Sequence, residues 1–240
     1  MKQLTLALTA VGILLVPPAS WCLEDATPLP APLVDETTPP QSSSEIAVLS
    51  GGCFWGVQKV FQHVKGVQSA VSGYAGGSQA TADYETVSSG RTGHAESVEV
   101  RFDPHVISYG TILRIFFSVA HDPTQLNRQG PDIGTQYRSE IFTLNDKQRQ
   151  IAQSYIAQLD QAGVYTRKIA TRVDPLGGFY AAEAYHQDFA TLHPDNGYIV
   201  RYDLPKVRNL EQLFPEDFRH DPILVSSSLN ATNKAANASH

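Results

Sequence analysis

At 240 residues, 42% of them hydrophobic, the chain is long enough for one substantial core, and its composition is that of a globular protein. A formal net charge of −6 argues against nucleic acid or an anionic membrane surface as the main partner. Two cysteines and eight scattered histidines supply no paired spacing for a structural zinc site, so no metal is expected.

Lys2, the apolar run from Leu4 to Val16 and the sequence Pro17-Pro18-Ala19-Ser20 have the three-part layout of a secretory signal peptide, assigned to residues 1–22. The run is short for a membrane-spanning helix. A secreted or periplasmic chain without an integral membrane domain is therefore expected, an uncleaved anchor being the alternative. Trp21 stands where a lipoprotein signal has a small residue, which argues against lipidation of Cys22. Loss of the leader would leave Cys53 as a lone thiol in an oxidising compartment, which is unusual unless that thiol has a chemical role. Residues 23–44 carry Pro28, Pro30, Pro32, Pro39 and Pro40 among polar residues and read as a flexible linker with no means of burying a core.

Ile46 to Leu49 reads as a buried strand. Ser50, Gly51 and Gly52 turn the backbone, and Val57, Val60, Phe61 and Val64 follow at helical spacing. Cys53 therefore falls where a strand ends and a helix begins. There, unpaired N–H groups and the helix dipole favour a thiolate, whereas a merely buried cysteine would need no such turn. Phe54 and Trp55 beside it are either core filler or two rings suited to a soft apolar centre, such as a sulfur with its methyl group.

Gly66 is a plausible helix stop, Val67 to Tyr74 a strand, and Asp83 to Gly90 a polar loop containing Tyr84. From His94 to Phe102 the chain alternates, with Glu96, Val98, Val100 and Phe102 on one face. A carboxyl on that apolar face has a raised pKa and can donate a proton near neutrality; at an open strand end it would simply meet water. Ser108 caps a helix with Ile112, Ile115, Phe116 and Val119 inward, and a polar, turn-rich stretch runs from Thr124 to Gly134. Tyr137 to Thr143 is a strand, its entry flanked by Asp132 and Tyr137. Asn145 caps a helix that stops at Gly163, Lys168 to Asp174 is a further strand, and Tyr180 to Leu192 a short helix with Glu183, Tyr185 and His186.

Strands alternating with one-faced helices predict an α/β (α+β) fold, a two-layer sandwich of helices on a mixed β-sheet, as one catalytic domain over 45–205. Residues 206–240 read as a polar tail, with Leu210, Leu213 and Phe214 available for docking, and a monomer is expected.

Five segments are specific in combination: Gly52-Cys53-Phe54-Trp55-Gly56, Gly73-Tyr74-Ala75-Gly76-Gly77, Gly93-His94-Ala95-Glu96, His121-Asp122-Pro123 and Gly134-Thr135-Gln136-Tyr137-Arg138-Ser139. In this order they strongly resemble the A-type peptide methionine sulfoxide reductases, over about Ala47 to Tyr202. The resemblance implies that Cys53 is the nucleophile toward the sulfoxide sulfur and that Phe54 and Trp55 receive the substrate methyl. It implies that Glu96 protonates the sulfoxide oxygen, that Tyr84 and Tyr137 hold that oxygen, and that Asp132 orients the surroundings. It further implies action on the S epimer, free or in oxidised proteins, with no bound cofactor. His186 is given a structural role.

Many relatives carry recycling cysteines near the C-terminus; here Asp195-Asn196-Gly197-Tyr198-Ile199 and all that follows have none. A sulfenic acid on Cys53 would then be reduced by an external thiol, from a thioredoxin-like or glutaredoxin-like protein or a small molecule. A retained Cys22 reaching back along the linker is the other route. Met1 is the sole methionine, so the mature chain offers no self-substrate. The rival readings are another thiol enzyme, a peroxidase or a cysteine hydrolase with His94 or His186 as base, and a secreted module that binds apolar side chains.

Overall fold

The computed structural model describes residues 26–36 and 42–225. Its strands are β1 (Glu45–Gly51), β2 (Val67–Ala75), β3 (Ala95–Phe102), β4 (Arg128–Gln129), β5 (Asp132–Ile133), β6 (Ser139–Thr143), β7 (Arg172–Pro175) and β8 (Phe179–Ala181). Six of them form one sheet in the order β7-β6-β1-β3-β2-β8, antiparallel except where β7 runs parallel to β6. The helices are α1 (Phe54–Gln62), α2 (Tyr84–Ser88), α3 (Tyr109–Ile115), α4 (Asp146–Ala162), α5 (Phe189–Leu192) and α6 (Leu204–Leu213).

Period-two alternation decides which side chains meet the helices. Ala47 and Leu49 of β1 and Val98, Val100 and Phe102 of β3 join the large core with α1, α3, α4 and α6. Val48 and Ala95 point the other way, into a small cluster with Ala75 and Phe142. The expected α+β arrangement, helices on a mixed sheet, is what forms. Local signals set several boundaries: Ser108 accepts from the Thr111 N–H, Asn145 from the Gln148 N–H, and Gly163 ends α4 at φ 62°.

Four local readings differ from the structure. Asp83 to Gly90 holds a helical turn, α2, because the Asp83 carboxylate caps it by accepting from the Thr86 N–H at 2.9 Å. The single helix expected over Tyr180 to Leu192 is instead edge strand β8, a tight turn at Ala184–His186 and the short α5, broken where Asp188 takes φ 58°. β6 starts at Ser139 because Thr135–Tyr137 forms a 3₁₀ turn, and the strand expected from Lys168 is confined to Arg172–Pro175.

The chain ends are also more engaged than their composition suggests. Residues 26–36 lack regular structure but lie packed on α3 and α4, where Leu29 is 3% exposed. Arg114 donates to the Leu29 carbonyl, Tyr155 to that of Pro30, and the Asp35 carboxylate accepts from Ser108 and the Gly110 N–H. Helix side chains satisfy the carbonyls of this stretch, so this part of the linker does bury a side chain. Past residue 205, α6 places Leu210 and Phe214 in the core, and Phe218 follows. The Val225 N–H still bonds Asp188 at 3.0 Å, so the folded unit extends well beyond the expected boundary. The expected signal peptide, Cys22 and residues 226–240 lie outside the described residues. No helix among the described residues is long and apolar enough to cross a membrane.

Candidate active site

Only Gly52 and Cys53 separate β1 from α1. Gly52 has φ 90°, and a Cβ on it would strike the Gln129 side chain, so this sharp entry needs glycine. Cys53 is the N-cap residue, so the N–H groups of the first helical turn have no partner within the helix and are open to groups of the site. The Phe54 N–H donates to Glu96 Oε2 at 3.0 Å, and the Trp55 N–H bonds the Cys53 sulfur. A Cβ on Gly56 would collide with Asp203, so this glycine lets a fully buried carboxylate lie against the same helix start.

Glu96 lies on the helix-covered face of β3, opposite Tyr74 of β2, and is 3% exposed. Burial, with a smaller push from the Asp132 charge, raises its pKa to about 8 against the opposing Phe54 N–H. The carboxyl is therefore mostly protonated at neutral pH, and it does not sit at a water-facing strand end.

The thiol departs from the sequence expectation. Cys53 is half-buried, and its pKa is pushed well above the ordinary thiol value, first by burial and then by the Glu96, Asp203 and Asp132 carboxylates. The Trp55 N–H works in the thiolate's favour, as a helix start should, but does not outweigh them. In the free protein Cys53 is a thiol.

Tyr84 and Tyr137 are half-buried, and burial followed by the nearby Glu96 carboxyl raises both hydroxyl pKa values; both also feel Cys53. They remain neutral hydrogen-bond donors. Asp132 accepts a hydrogen bond from the Tyr198 hydroxyl; burial raises its pKa, while Tyr198 and Lys206 oppose the rise. Phe54 is buried between Tyr74 and His186, at centroid distances of 5.9 and 5.0 Å. Trp55 stacks on Phe189 at 4.0 Å and donates its indole N–H to His186 Nδ1 at 3.2 Å. The six other residues singled out in the sequence thus lie around the Cys53 thiol.

Sequence reasoning gave no site role to Tyr198, Asp203, Lys206 or Glu183. Glu183 accepts from the Tyr74 hydroxyl and the Tyr84 N–H, tying β2 to α2. Lys206 Nζ lies 3.7 Å from the buried Asp203 Oδ1, and Lys206 lines a cleft that opens on Cys53 between Gln129, Pro131, Tyr198 and Tyr202. The i, i+3 spacing of Asp203 and Lys206 on a helix start was the available signal.

A cysteine–histidine hydrolase would need a ring nitrogen free to take the thiol proton. His94 accepts the Gly77 N–H at Nδ1 and bonds the Ser78 carbonyl at Nε2, as a brace for the glycine turn. His186 is held by Trp55, and burial lowers its pKa. Neither histidine has a bond to Cys53. No cluster of three or more His, Cys, Asp and Glu side chains among the described residues is placed to hold a metal.

Comparison with known proteins identifies one family. A family model described as peptide methionine sulfoxide reductase matches residues 45–217. The chain is similar to peptide methionine sulfoxide reductase MsrA 2 of Mesorhizobium japonicum, 60% identical over 82% of this chain and 100% of that protein. The corresponding Synechocystis protein is 45% identical over 88% of this chain and 96% of its own length. Among solved structures, methionine sulfoxide reductase A of Corynebacterium diphtheriae matches with a TM-score of 0.55, 36% identity, and 71% and 85% of the two chains covered. Reduced Mxr1 from Saccharomyces cerevisiae matches with a TM-score of 0.58 and 32% identity, over 69% of this chain and 94% of that one.

Proposed function

The chain belongs to the peptide methionine sulfoxide reductase family, A type, and from that premise we propose that Cys53 and Glu96 carry the reaction. It is an oxidoreductase that reduces methionine sulfoxide at the expense of a thiol. The observation that carries the residue assignment is the shared helix start, where adjacent N–H groups bond the Glu96 carboxyl and the Cys53 sulfur.

Phe54 and Trp55 take the substrate methyl, which leaves the sulfoxide oxygen toward Glu96, Tyr84 and Tyr137. With one carboxyl oxygen held by the Phe54 N–H, the other donates the proton that Glu96 carries at neutral pH. Protonating the sulfoxide oxygen makes the sulfur electrophilic, and Cys53 attacks it as its own proton leaves. The tyrosine hydroxyls, still protonated, stabilise the charge developing on oxygen. The oxygen passes to the Cys53 sulfur as the substrate's sulfur–oxygen bond and the transient sulfur–sulfur bond break, and methionine departs. Cys53 is oxidised to a sulfenic acid, and the thiol proton restores Glu96.

Recycling falls to two external thiol equivalents, which return Cys53 to the thiol and release water and a disulfide. The basis is Cys usage: Cys22 and Cys53 are the two cysteines, and Cys22 leaves with a cleaved leader. The donor is a thioredoxin-like or glutaredoxin-like protein or a small thiol, and the chain works as a monomer outside the cytoplasm, released by signal-peptide cleavage. Its substrates are oxidised proteins and free methionine sulfoxide.

The site is handed, since methyl pocket and acid are fixed relative to the nucleophile. With excess dithiothreitol, methionine S-sulfoxide is expected to turn over and the R epimer to react at least about 10²-fold more slowly. Equal rates would refute the assigned pocket and acid.

A further inference from the structure

The Cys53 cleft does not end at the thiol. Pro131, Arg201 and Tyr202 line both it and a second, larger groove, which continues past Arg128 and Leu126 to Tyr165 and Arg167. That groove encloses about 1340 Å³, beyond the roughly 300–1,000 Å³ of small-molecule pockets. Free methionine sulfoxide does not need such space, whereas the residues flanking a methionine in a peptide do.

Its charge is opposite to that of the whole protein. Three arginines, Arg128, Arg167 and Arg201, line the groove against one carboxylate, Asp122, on a chain of net charge −6. Asp122 lies 3.5 Å from Arg167 and is matched by it. Arg128 donates one bond to the Gly130 carbonyl at 2.7 Å, and the Arg201 guanidinium stands 5.5 Å over the Tyr202 ring. Both heads are exposed, and Arg128 keeps further donors in a fork that fits carboxylates. Leu126, 69% exposed, adds an apolar contact to the same lining.

We propose that this groove binds acidic segments flanking an oxidised methionine, so that substrates rich in Asp and Glu beside the methionine are preferred over basic ones. The inference rests on the reading above that Cys53 is the reacting atom. Charge complementarity along the groove overcomes the general repulsion between an acidic protein and an acidic peptide.

The test uses blocked peptides carrying methionine S-sulfoxide between glutamates or between lysines, with N-acetyl-methionine S-sulfoxide amide as the small substrate. Rates of the first turnover are taken without reductant, so docking of a reducing protein does not enter. At low salt the glutamate peptide is expected to react about fivefold to tenfold faster than the lysine peptide at subsaturating concentration, and the ratio to collapse toward one in 1 M salt. Arg128→Glu, on an exposed side chain, should abolish or invert the ratio while leaving the amide unchanged. Equal rates for the two peptides, or a ratio that survives Arg128→Glu, would overturn the proposal. Failure of the amide to react at all would overturn the Cys53 reading, and this inference with it.

Discussion

Cys53→Ser is expected to reduce the rate of methionine S-sulfoxide reduction by on the order of 10⁴-fold or more, to the background of the reductant alone. The reaction needs a soft nucleophile that can accept an oxygen and then give it up to a thiol, and serine does neither. The loss should appear in the first turnover as well as the steady state, because the residue acts before any reductant enters. Cys53 is half-buried at a helix start, where a serine oxygen can accept the Trp55 N–H in place of the sulfur, so serine is tolerated structurally. Circular dichroism of the variant should match the parent. Retained turnover would reject Cys53 as nucleophile.

Glu96→Gln should slow the first turnover by about 10²- to 10⁴-fold below pH 8 and change its pH dependence. With a pKa of about 8, Glu96 is the protonated acid below that pH and loses its proton above it. The parent rate should therefore fall as pH rises through about 8, and the variant should lack that falling limb. The gap between them narrows above pH 8, where the parent has lost its donor. A variant whose profile keeps the parent's falling limb would show that the acid lies elsewhere.

The same substitution has a stability signature. A carboxyl whose folded pKa is raised from 4.5 to about 8 costs stability progressively as pH rises through that window, because the unfolded chain ionises first. At pH 7 the penalty is on the order of 3 kcal/mol or slightly more, since pH 7 lies about 2.5 units above 4.5 and each unit is worth about 1.4 kcal/mol. Gln still accepts the Phe54 N–H and carries no such penalty, so Glu96→Gln is expected to melt higher than the parent at pH 7. The gain should vanish near pH 4. Lower activity with higher stability is the pattern of a residue held in an unfavourable site for its chemistry.

What was legible in the sequence was what local pattern encodes. The face of Glu96 followed from the apolar residues at 98, 100 and 102, and the place of Cys53 followed from the glycines before it. The state of the thiol was not legible, because it depends first on burial and then on the Glu96, Asp203 and Asp132 carboxylates, which reach it from distant segments. Asp203 was overlooked together with α6, whose polar residues mask an amphipathic helix that buries Leu210. The family resemblance supplied Tyr84, Tyr137 and Asp132; alternation and capping alone would not have found them. Leu29 was missed for a related reason, since composition reads proline-rich sequence as free even where side chains of α3 and α4 hold its backbone.

The central claim, that the Cys53 sulfur itself takes the substrate's oxygen and holds it until another molecule's thiol arrives, is tested most directly by the mass of the enzyme after one turnover. Mature protein is mixed with excess methionine S-sulfoxide and no reductant, and methionine and intact mass are measured together with dimedone labelling. The account predicts one methionine per enzyme, a gain of one oxygen located at Cys53, and a dimedone adduct there. Repeated turnover, oxygen at another residue, or a Cys22–Cys53 disulfide in place of the sulfenic acid would contradict it.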